Sequence, residues 1–356
     1  MVFLGKGLMF GRLLMRCARP FDPESAHRFV IHALSMLPVA ARRHDDPRLA
    51  ITLAGLDFAN PICLAAGFDK DARAVHTMAR FGFAGAEAGT LTPLPQGGNT
   101  RPRLFRLNED EGVINRMGFN NGGQAAATPR LAKLHACKDR ALIGINIGAN
   151  KDAADRVADY VCGARAMAPH ADWLTINISS PNTPGLRALQ DVGALDALLA
   201  ATAAARHAGG PPIFLKVAPD LDHEQIDDIV RSSIAHGIDA IIIGNTTVTR
   251  PPLLSRHAHE TGGLSGTPLA MLALQRLRDF RAATGGQLPL IAAGGIASAD
   301  DVGVRLRAGA SLVQLYSALV YEGPWLAARI VKDIVRRLES EGVSCLADII
   351  DADNAD

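Results

Sequence analysis

Two lysines, four asparagines and several hydroxyl residues stand where apolar runs of this chain end, and such groups are costly to bury without partners. Lys70 closes AAGFDK, and Lys216 lies inside FLKVAP. Asn146 sits in INIGAN, Asn177 in NISSPN ahead of Ser180 and Asn182, and Asn245 in IIIGNTT beside Thr246 and Thr247. Thr90 ends a further run. Asparagine is a poor strand former, but its amide offers a donor and an acceptor in one plane. A ring of such amides matches the lactam or imide edge of a planar polar ligand, such as a dihydropyrimidine or the pyrimidine ring of a flavin. A lysine buried by apolar flanks can steady negative charge on such a ring. It can also form a Schiff base, as in aldolase-type barrels, but that chemistry leaves the asparagines and the second lysine unexplained.

The glycines suggest a phosphate. Gly262-Gly263-Leu264-Ser265-Gly266 forms one cluster, Gly294-Gly295 in IAAGGI precedes the candidate helix cap Ser298, and Gly323 follows Tyr316-Ser317. Backbone N–H groups after the last two strands are the usual phosphate site of an α/β barrel. No Walker A or dinucleotide fingerprint is present, so a mononucleotide such as FMN is the economical ligand.

The elements that must carry these residues read as a (β/α)8 TIM barrel. Continuously apolar runs, as expected of parallel strands buried on both faces, occur at 61–67, 83–90, 141–148, 173–179, 212–218, 240–245, 288–295 and 311–317. Helical stretches fit between them at 124–135, 153–168, 188–207, 223–236 and 268–283. A doubly wound open sheet is the second choice. Two connections are long, 91–140 and 246–287, as barrel loops that carry substrate sites often are. Within the first, RLFRL and GVINRM can pair as a hairpin outside the barrel. LAITLAGLDFANP reads as another, closing the barrel bottom. The domain reading is an N-terminal helical segment at 1–45, the barrel at 46–345, and an acidic tail at 346–356 expected to fray.

The balance of 37 Lys+Arg against 36 Asp+Glu gives no field to attract nucleic acid. Cys17, Cys63, Cys137, Cys162 and Cys345 form no C-x-x-C pair, so neither a disulfide framework nor a metal centre is expected. They suit a reducing cytoplasmic setting. Residues 1–20 interleave apolar side chains with Lys6, Arg12, Arg16 and Arg19, leaving no spanning run and no signal-peptide core. With the apolar pattern at 29–37, they read as a pair of interfacial helices, a core-packed helix pair or a targeting peptide.

In chain order, AAGFDK, EAGTLTPLPQ, RPRLFRL, INRMGFNN, INIGAN, NISSPNTPGLR, LKVAPD, NTT, GGLSG, AGGI and LYSA closely resemble the FMN-dependent dihydroorotate dehydrogenases, over about residues 47–340. The resemblance implies oxidation of dihydroorotate to orotate in pyrimidine biosynthesis. It implies FMN contacts at Ala66, Gly67, Phe68, Asp69, Lys70, Thr90, Asn146, Asn177, Lys216, Gly244, Gly266, Gly295, Tyr316 and Ser317. Substrate would meet Lys70, Asn115, Arg116, Met117, Gly118, Phe119, Asn177, Asn182, Asn245 and Thr246. The catalytic base would be Ser180. A serine there, with none of the five cysteines in the loop, is similar to the quinone-using, membrane-associated class 2 rather than the soluble class 1, the alternative. In class 2, about forty leading residues form two helices that dock on the membrane and open a quinone path, here matched by His27, Arg106 and Tyr316. His27 alone reads as a solvent-facing helix residue. A monomer, peripheral on the cytoplasmic face of the bacterial inner membrane, is expected through residues 1–40.

The chain departs from the family at Gly244, where Thr or Ser is common, and at Gly98 and Thr100, where Pro is common, so a looser 96–103 loop is expected. Other FMN barrels fit less well. A dihydrouridine synthase calls for a basic surface and a catalytic cysteine, and a dihydropyrimidine dehydrogenase domain for Fe–S cysteine clusters. A non-catalytic membrane scaffold has no use for the lysines and asparagines.

Overall fold

The computed structural model describes residues 15, 20–207 and 209–354. Cys17 and the first of the two expected N-terminal helices lie outside the described residues. The second is α1 (Pro23–Ser35). The Asp22 carboxylate caps it, accepting from the Ser25 N–H at 2.8 Å, and Pro23 opens the first turn. Phe29 and Met36 are 72% and 69% exposed on or beside this helix, and Phe21 is 65% exposed just before it.

The eight apolar runs form the eight expected strands: β3 (Ile62–Asp69), β4 (Gly85–Leu91), β7 (Leu142–Ile147), β8 (Trp173–Asn177), β9 (Ile213–Val217), β10 (Ala240–Ile243), β12 (Leu290–Ala293) and β13 (Ala310–Leu315). They close into a parallel barrel, β3 pairing with β13. Helices α2 (Gln124–His135), α3 (Arg156–Met167), α4 (Val192–Ala205), α5 (His223–Ala235), α6 (Ala270–Thr284) and α7 (Ala299–Arg307) surround it, followed by the short α8 (Leu319–Glu322) and by α9 (Leu326–Glu341).

The hairpin β1 (Ile51–Leu53)–β2 (Leu56–Phe58) plugs the barrel bottom. Phe58 meets the Trp173 ring at 5.8 Å, and Trp173 stacks on Phe214 at 5.9 Å. That end is filled with aromatic side chains, which leaves the C-terminal mouth for polar groups. The second expected hairpin, β5 (Leu104–Leu107) and β6 (Gly112–Asn115), also forms, and β11 (Gly263–Gly266) adds to it as a third strand. The GGLSG cluster is therefore a strand beside the mouth, not a free phosphate loop. Its Gly263 has no room for a Cβ, which would lie 1.8 Å from Thr246 Oγ1.

Two expectations change. Residues 346–354 do not fray. Leu346 is fully buried, the Asp351 N–H donates to Leu306 O at 2.9 Å, and its carboxylate pairs with Arg281. Nor is the 96–103 loop loose. Gly98 adopts φ +76°, and a Cβ there would sit 2.3 Å from Met117 O, so the turn itself demands glycine.

Candidate active site

The floor of the barrel mouth is organised by a carboxylate. Glu87 on β4 is fully buried. Its Oε1 accepts from Trp173 Nε1 at 3.1 Å, Thr175 Oγ1 at 2.8 Å and Gln314 Nε2 at 2.8 Å. Its Oε2 accepts from Asn146 Nδ2 at 3.1 Å. Gln314 in turn accepts from Lys216 Nζ at 3.1 Å, so an amide stands between cation and carboxylate. Burial pulls the Lys216 ammonium below the ordinary lysine range, and Glu87 opposes that shift. Asn146 Oδ1 accepts from Thr90 Oγ1 at 2.6 Å and Asn177 Nδ2 at 3.1 Å. Asn177 Oδ1 then accepts from the Ser179 hydroxyl at 2.8 Å, and Asn245 Nδ2 donates to that same hydroxyl at 2.7 Å. Five strands, with Asn245 just after β10, thus pool their side chains in one connected network, which fixes each rotamer.

Above this floor lies a cavity of about 500 Å³ that runs from Lys216 and Asn177 out to Pro23, Ala26, His27 and Val30 of α1. Its volume is in the range of small-ligand sites. Lys70 lies between the two ends. Among the described residues its ammonium has no hydrogen-bond or ion-pair partner. Burial lowers its pKa to about 8, against the support of Glu24. His27 is not solvent-facing. Its Nε2 lies 2.8 Å from Phe68 O, so that nitrogen carries the proton, because a carbonyl only accepts. Burial, then the Lys70 charge, pushes its pKa down to about 4, leaving the ring neutral. Burial raises the Tyr316 phenol to about 12. The edges of His27 and Tyr316 meet Phe68 at 5.3 and 5.8 Å.

Ser180 follows β8 and is 7% exposed at the cavity wall. Its Oγ accepts the Asn182 N–H at 3.3 Å, and among the described residues no histidine or carboxylate bonds it. Asn182 Nδ2 reaches Asn115 Oδ1 at 3.2 Å across the mouth. Two buried hydroxyl oxygens nearby, Thr183 Oγ1 and Thr246 Oγ1, have no partner among the described residues. A second hollow of about 250 Å³ lies behind the Ser180 loop, lined by Ser180, Thr183 and Arg187. At the opposite wall the N–H groups of Gly295, Ile296, Ser317 and Ala318 find no acceptor among the described residues, an arrangement that suits a phosphate.

Most of the residues anticipated from the sequence line the one cavity. They include Ala66, Gly67, Phe68, Lys70, Thr90, Asn115, Met117, Gly118, Phe119, Asn177, Ser180, Asn182, Lys216, Asn245 and Thr246. Gly244, Gly266, Gly295, Tyr316, Ser317, His27 and Arg106 do so too. Three do not. Asp69 turns away to accept the Arg73 and Val75 N–H groups at 2.9 and 2.8 Å. Asn146 lies wholly buried a layer beneath. Arg116 points outward to Glu260 at 2.9 Å and lies over the Phe105 ring. Sequence reading missed Glu87, Gln314 and Ser179. A carboxylate in the middle of the apolar run FAGAEAGT was the available signal for Glu87.

A closed parallel barrel whose mouth gathers two cations, a ring of amides and unpaired backbone donors is an enzyme barrel for a planar ligand with an anionic tail. Residues 48–338 match the family model described as dihydroorotate dehydrogenase. The chain is 61% identical to the dihydroorotate dehydrogenase (quinone) of Sphingopyxis alaskensis, covering 94% of this chain and 96% of that protein. It is 54% identical to that of Erythrobacter litoralis, covering 96% and 99%. A crystal structure of the Eimeria tenella enzyme in complex with ferulenol superposes with a TM-score of 0.90 at 37% identity, covering 96% of this chain and 99% of that one. The chain belongs to the dihydroorotate dehydrogenase family.

Proposed function

We infer that this chain oxidises dihydroorotate to orotate in pyrimidine biosynthesis, with FMN as its flavin and a membrane quinone as the electron acceptor. The observation that carries this reading is the convergence of Lys70, Asn115, Asn177, Asn182 and Asn245 on one cavity beside Ser180. The residues present fit FMN. Thr90, Asn177 and Lys216 would hold its polar ring edge, and the free N–H groups of Gly295, Ile296, Ser317 and Ala318 its phosphate. FMN held there would supply the acceptor for hydride from substrate C6 and the redox chemistry that links it to quinone.

The protein's own part is positioning and proton removal. Lys70 binds the substrate carboxylate, and the asparagine amides orient the ring. Ser180 Oγ takes the C5 proton. With no histidine or carboxylate bonded to it among the described residues, the hydroxyl passes its proton outward through a water to Thr183, which lines the rear hollow and whose Oγ1 has no partner among those residues.

Quinone would enter at the α1 end, past His27, Arg106 and Tyr316. Leaving Phe21, Phe29 and Met36 in water costs about 1.5–3 kcal/mol each relative to full burial. Together they make a face for the membrane interface. No helix of the described residues is long and apolar enough to cross a membrane, and we place the chain as a peripheral monomer on the cytoplasmic face of the inner membrane. Orotate formation with a ubiquinone analogue as sole acceptor tests this reading. Turnover that is as fast with a soluble acceptor and indifferent to quinone would move the chain to the soluble class.

A further inference from the structure

Glu24 stands in the first turn of α1 between half-exposed Pro23 and exposed Ser25, yet it is itself only 6% exposed. Its Oε1 accepts from Arg101 and Arg103 Nη2, both at 2.8 Å, and its Oε2 from Arg103 Nε at 3.1 Å. Arg103, 5% exposed, spends its remaining nitrogen on the carbonyls of Gly97 and Asn99, at 2.6 and 2.8 Å. Asn99 carries the link inward, its Nδ2 donating to Arg116 O at 3.1 Å and to Asn182 O at 3.0 Å. Asn182 is the residue whose N–H meets Ser180 Oγ. One chain of short bonds therefore runs from α1 to the loop of the candidate base.

We propose that Glu24 is a positioning residue for the dihydroorotate half-reaction, although it belongs to the helix that lines the quinone end of the cavity. Through Arg103 it sets the 97–99 turn, and through Asn99 that turn sets the backbone of Asn182. This rests on the functional reading above.

Electrostatics act in the same direction. Burial lowers the Lys70 pKa most; Glu24 is the largest of the opposing charges, ahead of Asp71 and Asp69, while Arg103 pushes with burial. His27, also beside Lys70, is neutral. Replacing Glu24 by glutamine leaves the Arg103 guanidinium near Lys70 without its counter-charge, so Lys70 loses its proton at lower pH.

The test is anaerobic stopped flow on full-length, flavin-loaded Glu24→Gln, following the two half-reactions separately. Flavin reduction should need about ten- to a hundredfold more dihydroorotate, the scale of a small misplacement at a reacting centre. Its high-pH limb should also move to lower pH, while reoxidation by a short-chain ubiquinone is little changed. Glu24→Asp should recover part of the loss. Arg101→Met, at a half-exposed residue with no bond to the turn, should leave flavin reduction as in the wild type. Equal losses in both half-reactions, or a loss confined to reoxidation, would overturn the proposal. If Glu24→Gln fails to fold, Arg103→Lys decides. It keeps the charge beside Glu24 but cannot reach both carbonyls, and unaltered dihydroorotate dependence there also overturns the proposal. Wild-type flavin that dihydroorotate does not reduce would instead sink the functional reading itself.

Discussion

Lys70 and Ser180 have opposite problems. Among the described residues Lys70 is a cation without a hydrogen-bonded or ion-paired partner, held where burial has drawn its pKa down to about 8. In the proposed reaction the dihydroorotate carboxylate would supply that partner, so binding strength would follow the charged fraction. As pH rises through about 8 that fraction falls, and kcat/KM for dihydroorotate should decline along a one-proton limb. Stability runs the other way. The unfolded lysine keeps its proton up to its ordinary value of 10.5, so the unfolded chain binds more protons between those limits, and this group's contribution to folding improves with rising pH. A pH profile of kcat/KM that stays flat from 7 to 9 contradicts the role given to Lys70. Among the described residues no histidine or carboxylate bonds Ser180, the residue proposed to take the C5 proton. Ser180→Ala should slow single-turnover flavin reduction by about 10²–10⁴-fold while flavin remains bound, and unimpaired reduction would remove Ser180 from the mechanism.

At the scale of elements, the barrel delivers each of these groups on a strand end, and the loops after β12 and β13 complete the site. Gly295 takes φ +64°, and a Cβ there would lie 2.3 Å from Ala270 Cα on α6. Gly295→Ala must therefore push the loop off the helix. It should lower both the melting temperature and the flavin content of the purified protein, whereas full flavin occupancy would place the phosphate elsewhere. Helix α1 answers to a different test. Serine at Phe21 and Met36, neither of which lines the cavity, should weaken turnover with quinone held in lipid vesicles and leave flavin reduction by dihydroorotate intact. The eight strands and the two hairpins were legible because periodicity and turn residues are local signals. The role of GGLSG was not, since its glycines serve strand pairing with β6 and close approach to Thr246, contacts that only the folded chain creates.

Over the whole molecule, one cavity joins a polar floor to an apolar mouth under α1, and the two ends suit the two substrates of the proposed reaction. The site's chemical groups were readable from the sequence as lysines and asparagines at strand ends. Their support was not. Glu87 finds Thr175 and Gln314 only once the barrel closes, and Glu24 reaches Arg103 across the N-terminal segment. Asp69 and Arg116 resemble site residues by motif, but backbone N–H groups and Glu260 claim them first. On this reading, dihydroorotate reduces a flavin held in this cavity. Anaerobic titration of the purified protein with dihydroorotate, read by visible absorbance, tests it most directly. A yellow protein should bleach in proportion to the dihydroorotate added, forming one orotate per flavin, and regain its colour on adding quinone. A colourless protein, or a flavin spectrum that dihydroorotate leaves unchanged, would contradict it.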